Sequence, residues 1–143
     1  MIDPILVTRK LALILEDLAD VSPLSGKATE EFLASRTDEI LAERLLERMI
    51  GRMIDINFHL ITESGHRPPS DYYHSFIELG RLGILSPGIA ERMAACTGLR
   101  NRIVHEYDDV DPRKIHEALR TALRDIPEYL GAIRQFLDAR PAS

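Results

Sequence analysis

The sequence predicts an all-α protein, an antiparallel bundle of about five helices that forms a single domain over residues 1–143. Three observations support this prediction. Apolar residues recur three or four positions apart over long stretches, no segment alternates polar and apolar residues over the length of a strand, and short turns rich in Pro, Gly and Ser join the stretches. The length of 143 residues suits one domain, and the chain contains no internal repeat or long linker.

The first helix is predicted from its capping residues. Asp3 followed by Pro4 has the form of an N-cap and a first helical residue. An apolar-rich run continues to about Asp20, where Ser22-Pro23 and then Ser25-Gly26 predict the end of the helix.

A long amphipathic helix is predicted from about Thr29 to Glu63, and a break in its early part near Arg36-Thr37 is left open. One stripe of the helix is apolar because large side chains recur three or four residues apart. The residues of this stripe are Leu41, Leu45, Met49, Met53, Ile56 and Leu60. Gly65 and the pair Pro68-Pro69 predict its end.

Two shorter helices are predicted next. Ser70 is the expected cap of a helix from about Asp71 to Gly80. Ser86-Pro87 begins another helix in the same way as the start of the first helix. The apolar stripe of this later helix contains Ile89, Met93, Cys96 and Ile103.

The last helix is predicted from Asp111-Pro112 to about Ala139. Its apolar residues follow the three/four spacing closely, and they are Ile115, Leu119, Ala122, Ile126, Leu130, Ile133 and Leu137. Pro127 lies inside this pattern and is expected to kink the helix.

The composition favours a cytosolic protein without a membrane segment. Cys96 is the only cysteine, so no disulfide or thiolate metal site can form within one chain. The N-terminus lacks the pattern of a secretory signal, and no apolar stretch approaches the ~18 residues that a membrane span needs. No cluster of carboxylate, His and Cys residues suggests a metal, and no glycine-rich phosphate loop suggests a bound nucleotide cofactor.

The net charge of −5 opposes non-specific adhesion to nucleic acid, because phosphate binding needs a local surplus of Lys and Arg. Any RNA-binding site must therefore be confined to a small part of the surface where Lys and Arg are in excess. Arg92, Arg100, Arg102 and His105 form one candidate cluster, although acidic residues at 106, 108 and 109 follow immediately.

Several polar residues have ordinary structural interpretations. Asp55 and His59, four residues apart on the long helix, are expected to form a hydrogen-bonded interior pair. His74 and His116 lie near helix starts and are expected to be solvated. Cys96 is expected to be a small core residue.

Arg100 is the residue that most needs an explanation. On a helix that begins at Pro87, Arg100 falls in the middle of the apolar stripe, and Tyr107 falls there too. An isolated buried guanidinium is costly unless it is paired or opens on a cleft. In one interpretation Arg100 pairs with a carboxylate in the core, His105 is a surface residue and Tyr107 packs at the helix end; in the other, Arg100 serves a functional cleft.

His105 lies roughly 140° around the same helix from Arg100. The two side chains of one chain would therefore not lie side by side. Two explanations remain open: the helix ends near His105, or a second copy of the helix completes the site. Gly98 leaves a bare surface on the histidine side, where another backbone could approach closely.

The segment from Arg100 through Asn101 and His105 to Tyr107 resembles the R-x4-H-x-Y signature of HepT-like toxins, a branch of the HEPN superfamily. All three anchor positions match, and Asn101 suits the polar residue that follows the arginine in HEPN ribonucleases. The resemblance also covers residues 55–61, 68–72, 76–80 and 83–86.

The resemblance implies a HEPN-like fold and a metal-independent endoribonuclease toxin of a type VII-like toxin–antitoxin system. Arg100 would neutralise the scissile phosphate, Asn101 would orient the substrate or His105, and His105 would act as general acid or base. The sites of two protomers would meet in a homodimer or a larger assembly, and no cofactor would be needed.

The resemblance also implies a partner, a minimal nucleotidyltransferase antitoxin. This partner would attach AMP to Tyr107, and the bulky anionic group would block access of RNA phosphates to the site. The alternative is a non-catalytic HEPN adaptor, in which the same cleft binds a nucleotide or only the partner protein.

Overall fold

The computed structural model describes residues 1–105 and 110–140, which form six helices and no strand. The helices are α1 (Pro4–Ser25), α2 (Thr29–Leu33), α3 (Arg36–Glu63), α4 (Tyr72–Arg81), α5 (Pro87–His105) and α6 (Pro112–Ala139). The all-α helical bundle is therefore confirmed, with six helices where about five were predicted. None of the described helices combines the length and the apolar character needed to cross a membrane.

Helix α1 begins as predicted but ends later. The Asp3 carboxylate accepts hydrogen bonds from the first free backbone N–H groups of the helix, at 3.1 Å each. The helix then continues through Pro23 to Ser25, with Gly26 as its C-cap, so of the two predicted stop signals Ser22-Pro23 is wrong and Ser25-Gly26 is confirmed. Val21 and Leu24 are buried in the core, and their packing holds the last turn although proline removes one backbone hydrogen bond.

The predicted long second element is two helices, so the break that was left open near Arg36-Thr37 is present, at residues 34–35. The Ser35 hydroxyl caps α3 by accepting a hydrogen bond from the N–H of Asp38 at 3.2 Å. The short helix α2 buries Phe32 completely, and this ring stacks on His116 of α6 with 4.6 Å between centroids. His116 is therefore buried rather than solvated, because α2 folds over the start of α6.

The capping predictions for the later helices are confirmed except at α4. Asp71, rather than the predicted Ser70, caps α4 by accepting a hydrogen bond from the N–H of His74 at 2.7 Å. Ser86 and Asp111 accept hydrogen bonds at the starts of α5 and α6 as expected. Helix α6 continues through Pro127, and the expected kink there stays a prediction.

Helix α3 is the centre of the bundle and packs against each of the other five helices. It runs antiparallel to α1, as two pairs of contacts show. The N–H of Asp3, at the start of α1, donates to His59 Nε2 near the end of α3 at 2.9 Å. Further along α1, Asp17 bonds to Arg48 in the first half of α3.

A buried polar chain connects three helices through the core. The Tyr129 hydroxyl of α6 donates to Asn57 Oδ1 of α3 at 2.6 Å, and Asn57 Nδ2 donates to Ser75 Oγ of α4 at 3.1 Å. The Ser75 hydroxyl donates in turn to the carbonyl of Tyr72 at 2.7 Å. Burial raises the pKa of the Tyr129 phenol well above its usual value, so it remains a donor. The first turn of α4 is thereby fixed to the core.

Helices α4 and α5 lie unusually close together. A Cβ atom added at Gly80 would lie 2.8 Å from the Cβ of Ala90, so only glycine permits this approach. The turn between the helices contains Gly83, whose φ of +78° favours glycine. The close approach holds the helix that carries Arg100 against the helix that carries Tyr72.

Candidate active site

Arg100 lies in a cleft between α3, α4 and α5 with a volume of about 490 Å³. Helix α3 supplies most of the lining, and α4 and α5 contribute one residue each. The lining residues are Glu47, Arg48, Gly51, Arg52, Ile54, Asp55, Phe58, Tyr72 and Arg100. Of the two interpretations that the sequence left open for Arg100, a cleft is the one that this arrangement favours.

The Arg100 guanidinium is held by an aromatic ring and an amide. Its Cζ atom lies 5.2 Å from the centroid of the Tyr72 ring, within the range of a cation–π interaction. Its Nη1 donates to Asn101 Oδ1 at 3.4 Å. Its Nε is buried and has no hydrogen-bond partner among the described residues. Within residues 1–105 and 110–140, no carboxylate forms an ion pair with Arg100. The described residues therefore do not support the interpretation in which Arg100 pairs with a carboxylate in the core.

Asn101 and His105 are both exposed on α5. Asn101 bonds to Arg100, so the structure brings together two of the three predicted catalytic residues. No hydrogen bond joins His105 to Arg100 or Asn101 in the described part of the chain. Tyr107, the predicted modification site, lies outside the described residues.

Two arginines of the cleft were not identified from the sequence. Arg48 Nη2 and Arg52 Nη1 each donate to a different oxygen of the Asp17 carboxylate, both at 2.9 Å. The Asp17 side chain is only 5% exposed. The available signals were the spacing of four between the arginines on α3 and a carboxylate within the apolar run of α1.

The acidic residues of the cleft have partners of their own. Asp55 accepts a hydrogen bond from Lys10 Nζ at 3.3 Å, and Glu47 pairs with Arg44 at 3.5 Å. The predicted interior pair of Asp55 with His59 is therefore wrong, since Asp55 faces the side of α3 that borders α1 and solvent. Three arginines and two carboxylates line the cleft. With the ion-pair partners Asp17, Lys10 and Arg44 included, five positive charges face three negative ones, so the cleft is locally positive in a chain of net charge −5.

The predicted basic cluster of Arg92, Arg100, Arg102 and His105 does not form one surface. Arg92 Nε donates to Asp125 of α6 at 3.3 Å and Arg92 Nη2 donates to Glu128 at 3.1 Å. Arg92 and Arg102 line a separate, mainly apolar pocket of about 310 Å³ between α3, α5 and α6. Arg102 does not share the cleft of Arg100 because residues two positions apart on a helix point in directions roughly 200° apart.

Cys96 lines this second pocket and is not a candidate nucleophile. Its thiol donates to the carbonyl of Met93 at 2.7 Å. Burial raises the pKa of the Cys96 thiol to about 12, so the reactive thiolate is scarce near neutral pH. This agrees with the predicted packing role.

Known proteins are similar to this chain in sequence and in fold. A profile of the family described as Ribonuclease HepT-like matches residues 14–133. The tRNA nuclease HepT of Aphanizomenon flos-aquae is 35% identical over 136 residues, which is 95% of this chain and 92% of that protein.

Two solved structures share the fold. The tri-AMPylated HEPN toxin of Shewanella oneidensis, in complex with the MNT antitoxin, has a TM-score of 0.83 and 21% identity, over 94% of this chain and 99% of that one. A cytosolic protein of unknown function, YutE of Bacillus subtilis, has a TM-score of 0.81 and 20% identity, over 99% of this chain and 96% of that one.

Proposed function

Because this chain belongs to the HepT-like ribonuclease family, we propose that it cleaves RNA in an active site that contains Arg100. We also propose that it acts as the toxin of a toxin–antitoxin pair. One observation carries the proposal. The Arg100 guanidinium stacks on Tyr72 in an open cleft and has no carboxylate partner among the described residues. Its planar fork is therefore available for a phosphate. The similarity to a tRNA nuclease over most of the chain supports tRNA as the substrate class.

The proposed reaction uses the 2′-hydroxyl of the RNA as nucleophile. The 2′ oxygen forms a bond to the adjacent phosphorus while the bond from phosphorus to the 5′ oxygen breaks. One proton leaves the 2′-hydroxyl and one is delivered to the 5′ oxygen, so the products are a cyclic phosphate and a 5′-hydroxyl. His105 moves one of these protons, Arg100 neutralises charge on the phosphate, and Asn101 orients Arg100 through its amide oxygen.

A second copy of the chain would complete this site. The reaction needs two proton transfers, and His105 of one chain lies far around α5 from Arg100. Gly98 is exposed on that helix. Apart from its two neighbours and the backbone of α5, no atom of the described residues lies within 4 Å of the position a Cβ would take there. A second α5 could approach there, which supports a homodimer with composite sites.

A nucleotidyltransferase antitoxin is the proposed partner, because the fold is shared with a HEPN toxin that was crystallised in an AMPylated state with its MNT antitoxin. In the proposed modification the Tyr107 hydroxyl attacks the α-phosphorus of ATP and pyrophosphate leaves. The adenylate then competes with RNA for Arg100.

The test compares wild type, Arg100→Ala and His105→Ala, expressed without the partner at matched soluble levels, with Arg120→Ala on the exposed side of α6 as control. We expect Arg100→Ala and His105→Ala each to lower the cleavage rate by roughly 10²-fold or more. Growth arrest should disappear with the cleavage, and cleavage should persist in EDTA.

Two results would contradict the proposal. If both folded variants arrest growth as wild type does, the assignment of Arg100 and His105 is wrong. If wild type binds its partner but cleaves no RNA, the chain is the non-catalytic adaptor. The net charge of −5 is the observation that favours this second function.

A further inference from the structure

Two arginines in the Arg100 cleft are not used by the proposed cleavage chemistry. Arg48 and Arg52 each donate one hydrogen bond to Asp17, whereas a guanidinium offers five N–H donors. Arg48 Nε is buried without a partner among the described residues. Arg100 Nε is also buried and has no hydrogen-bond partner among the described residues. Two unpaired buried donors on one cleft indicate an acceptor that the described part of the chain does not supply.

Fastening α1 to α3 does not account for both arginines. Asp17 is nearly fully buried, and a buried carboxylate needs a cation. One arginine would satisfy that need, since a guanidinium can bind both oxygens of a carboxylate. Asp17 instead divides its two oxygens between two arginines, and one positive charge remains in excess.

The helix surface beside the two arginines is open. Gly51 lines the cleft and lies next to Arg48 around α3, on the side away from Arg52. Apart from Gly51 itself, its two neighbours and the backbone of α3, no atom of the described residues lies within 4 Å of the position that a Cβ would take there. A ligand can therefore reach the helix surface beside Arg48 without a side chain at residue 51 in its way.

We propose that Arg48 and Arg52 form a second phosphate-binding subsite, which holds an RNA backbone phosphate that flanks the one bound by Arg100. The ligand of this subsite rests on the proposed function. The charge of the cleft, its unpaired N–H donors and its bare helix surface fit a chain of phosphates better than a single one. Arg48 and Arg52 are positioning residues here, because they bind RNA away from the reacting bond.

The main experiment measures binding of a fully 2′-O-methylated oligonucleotide, which a 2′-hydroxyl mechanism cannot cleave. The variants are Arg48→Gln and Arg52→Gln, and the control is Arg120→Gln, which removes the same charge from the exposed face of α6. We expect the affinity to fall by about tenfold for each cleft variant. The slope of log affinity against log salt should also become shallower by ~0.7 for each phosphate that the variant no longer binds.

Cleavage kinetics give an independent measurement. A flanking contact is the same in the ground state and the transition state, so Arg48→Gln and Arg52→Gln should raise KM and leave kcat nearly unchanged. Arg100→Ala should instead lower kcat. If the two cleft variants match Arg120→Gln in affinity, salt slope and KM, the subsite does not exist. Loss of antitoxin binding with unchanged RNA binding would also overturn it and would assign the arginines to the partner protein.

Asp17→Asn covers the case in which the glutamine variants do not fold. It keeps the guanidiniums of the cleft and removes the carboxylate that binds Arg48 and Arg52. RNA affinity should therefore rise above that of Asp20→Asn, an exposed control on α1 with the same charge change. Affinity equal to or below the control would overturn the proposal. If wild type cleaves no RNA, the proposed function fails while the binding measurements still decide whether the subsite exists.

Discussion

Arg100 is held by two contacts with described residues, and neither of them is an ion pair. The ring of Tyr72 supports the guanidinium from one side and Asn101 accepts a hydrogen bond from it. A carboxylate would hold Arg100 more strongly, but it would also compete with phosphate for the same N–H groups. The chain from Tyr129 through Asn57 and Ser75 fixes the backbone of Tyr72. The arginine is thus positioned and remains available.

We predict that Tyr72→Leu lowers kcat/KM for RNA by roughly threefold to thirtyfold, the loss expected from a cation–π contact at a partly exposed site. Tyr72→Phe keeps the ring and should retain most of the activity. Tyr73→Leu removes a similarly exposed ring outside the cleft and is the matched control. Steady-state cleavage assays on the three variants make the comparison. An equal loss in Tyr72→Leu and Tyr73→Leu would show that the ring does not position Arg100.

At the level of helices, Asp125 joins α5 to α6. Its buried carboxylate accepts hydrogen bonds from Arg124 at 2.9 Å and 3.2 Å and from Arg92 at 3.3 Å. Arg124 lies on the same helix, so Arg92 provides the connection between helices. The hydrogen bonds from Arg124, with the nearby charges of Arg124 and Arg92, lower the pKa of Asp125 below its usual value. This contact helps to set the position of the helix that carries Arg100.

The lowered pKa predicts a pH dependence of the free energy of unfolding. A carboxylate whose pKa is lower in the folded state stabilises the fold above its unfolded pKa and loses this contribution as pH falls through its folded pKa. Asp125→Asn should therefore be less stable than wild type near neutral pH, and the difference should narrow as pH falls from about 5 to about 2.

Urea unfolding at several pH values measures this difference. Asp20→Asn, at an exposed position on α1, is the control and should show no comparable narrowing. If the difference in free energy of unfolding between wild type and Asp125→Asn stays constant as pH falls, the lowered pKa of Asp125 does not contribute to stability.

At the level of the whole molecule, charge is distributed unevenly. The chain carries a net charge of −5, yet one cleft collects three arginines. Two of them share the single buried carboxylate of Asp17, and the two carboxylates that line the cleft already have basic partners. A net negative charge combined with one basic cleft disfavours RNA binding elsewhere and favours it at that cleft. The same arrangement makes the cleft sensitive to an added negative group, which is the proposed role of an adenylate on Tyr107.

We predict that incubation with the proposed nucleotidyltransferase partner and Mg-ATP adds AMP to the intact protein and abolishes RNA cleavage without unfolding it. Tyr107→Phe should gain no AMP and should escape neutralisation. Tyr73→Phe is the control and should be modified as wild type is. Intact-mass spectrometry and cleavage assays give the measurements. Full cleavage by the modified protein would remove Tyr107 from the mechanism and would favour direct blocking by the partner.

The sequence alone determined the features that depend on neighbouring residues. Asp3, Ser86 and Asp111 were identified as helix caps because a capping hydrogen bond reaches only two or three residues along the chain. The all-α class followed from spacing along each helix, which is also local. The family was identified from the signature at Arg100 and His105, which are five positions apart on one helix, and the family comparison confirms it.

Tertiary structure decided the features that depend on distant residues. Helix α1 continues past Pro23 because the core buries its last turn, and His116 is buried because α2 covers it. The surroundings of Arg100 also come from other parts of the chain, since Tyr72 lies on α4 and Arg48 on α3. Helical spacing states which residues share a face of one helix but not which face of another helix they meet. For this reason the sequence identified Arg100, whereas only the packing of α3, α4 and α5 identified its cleft.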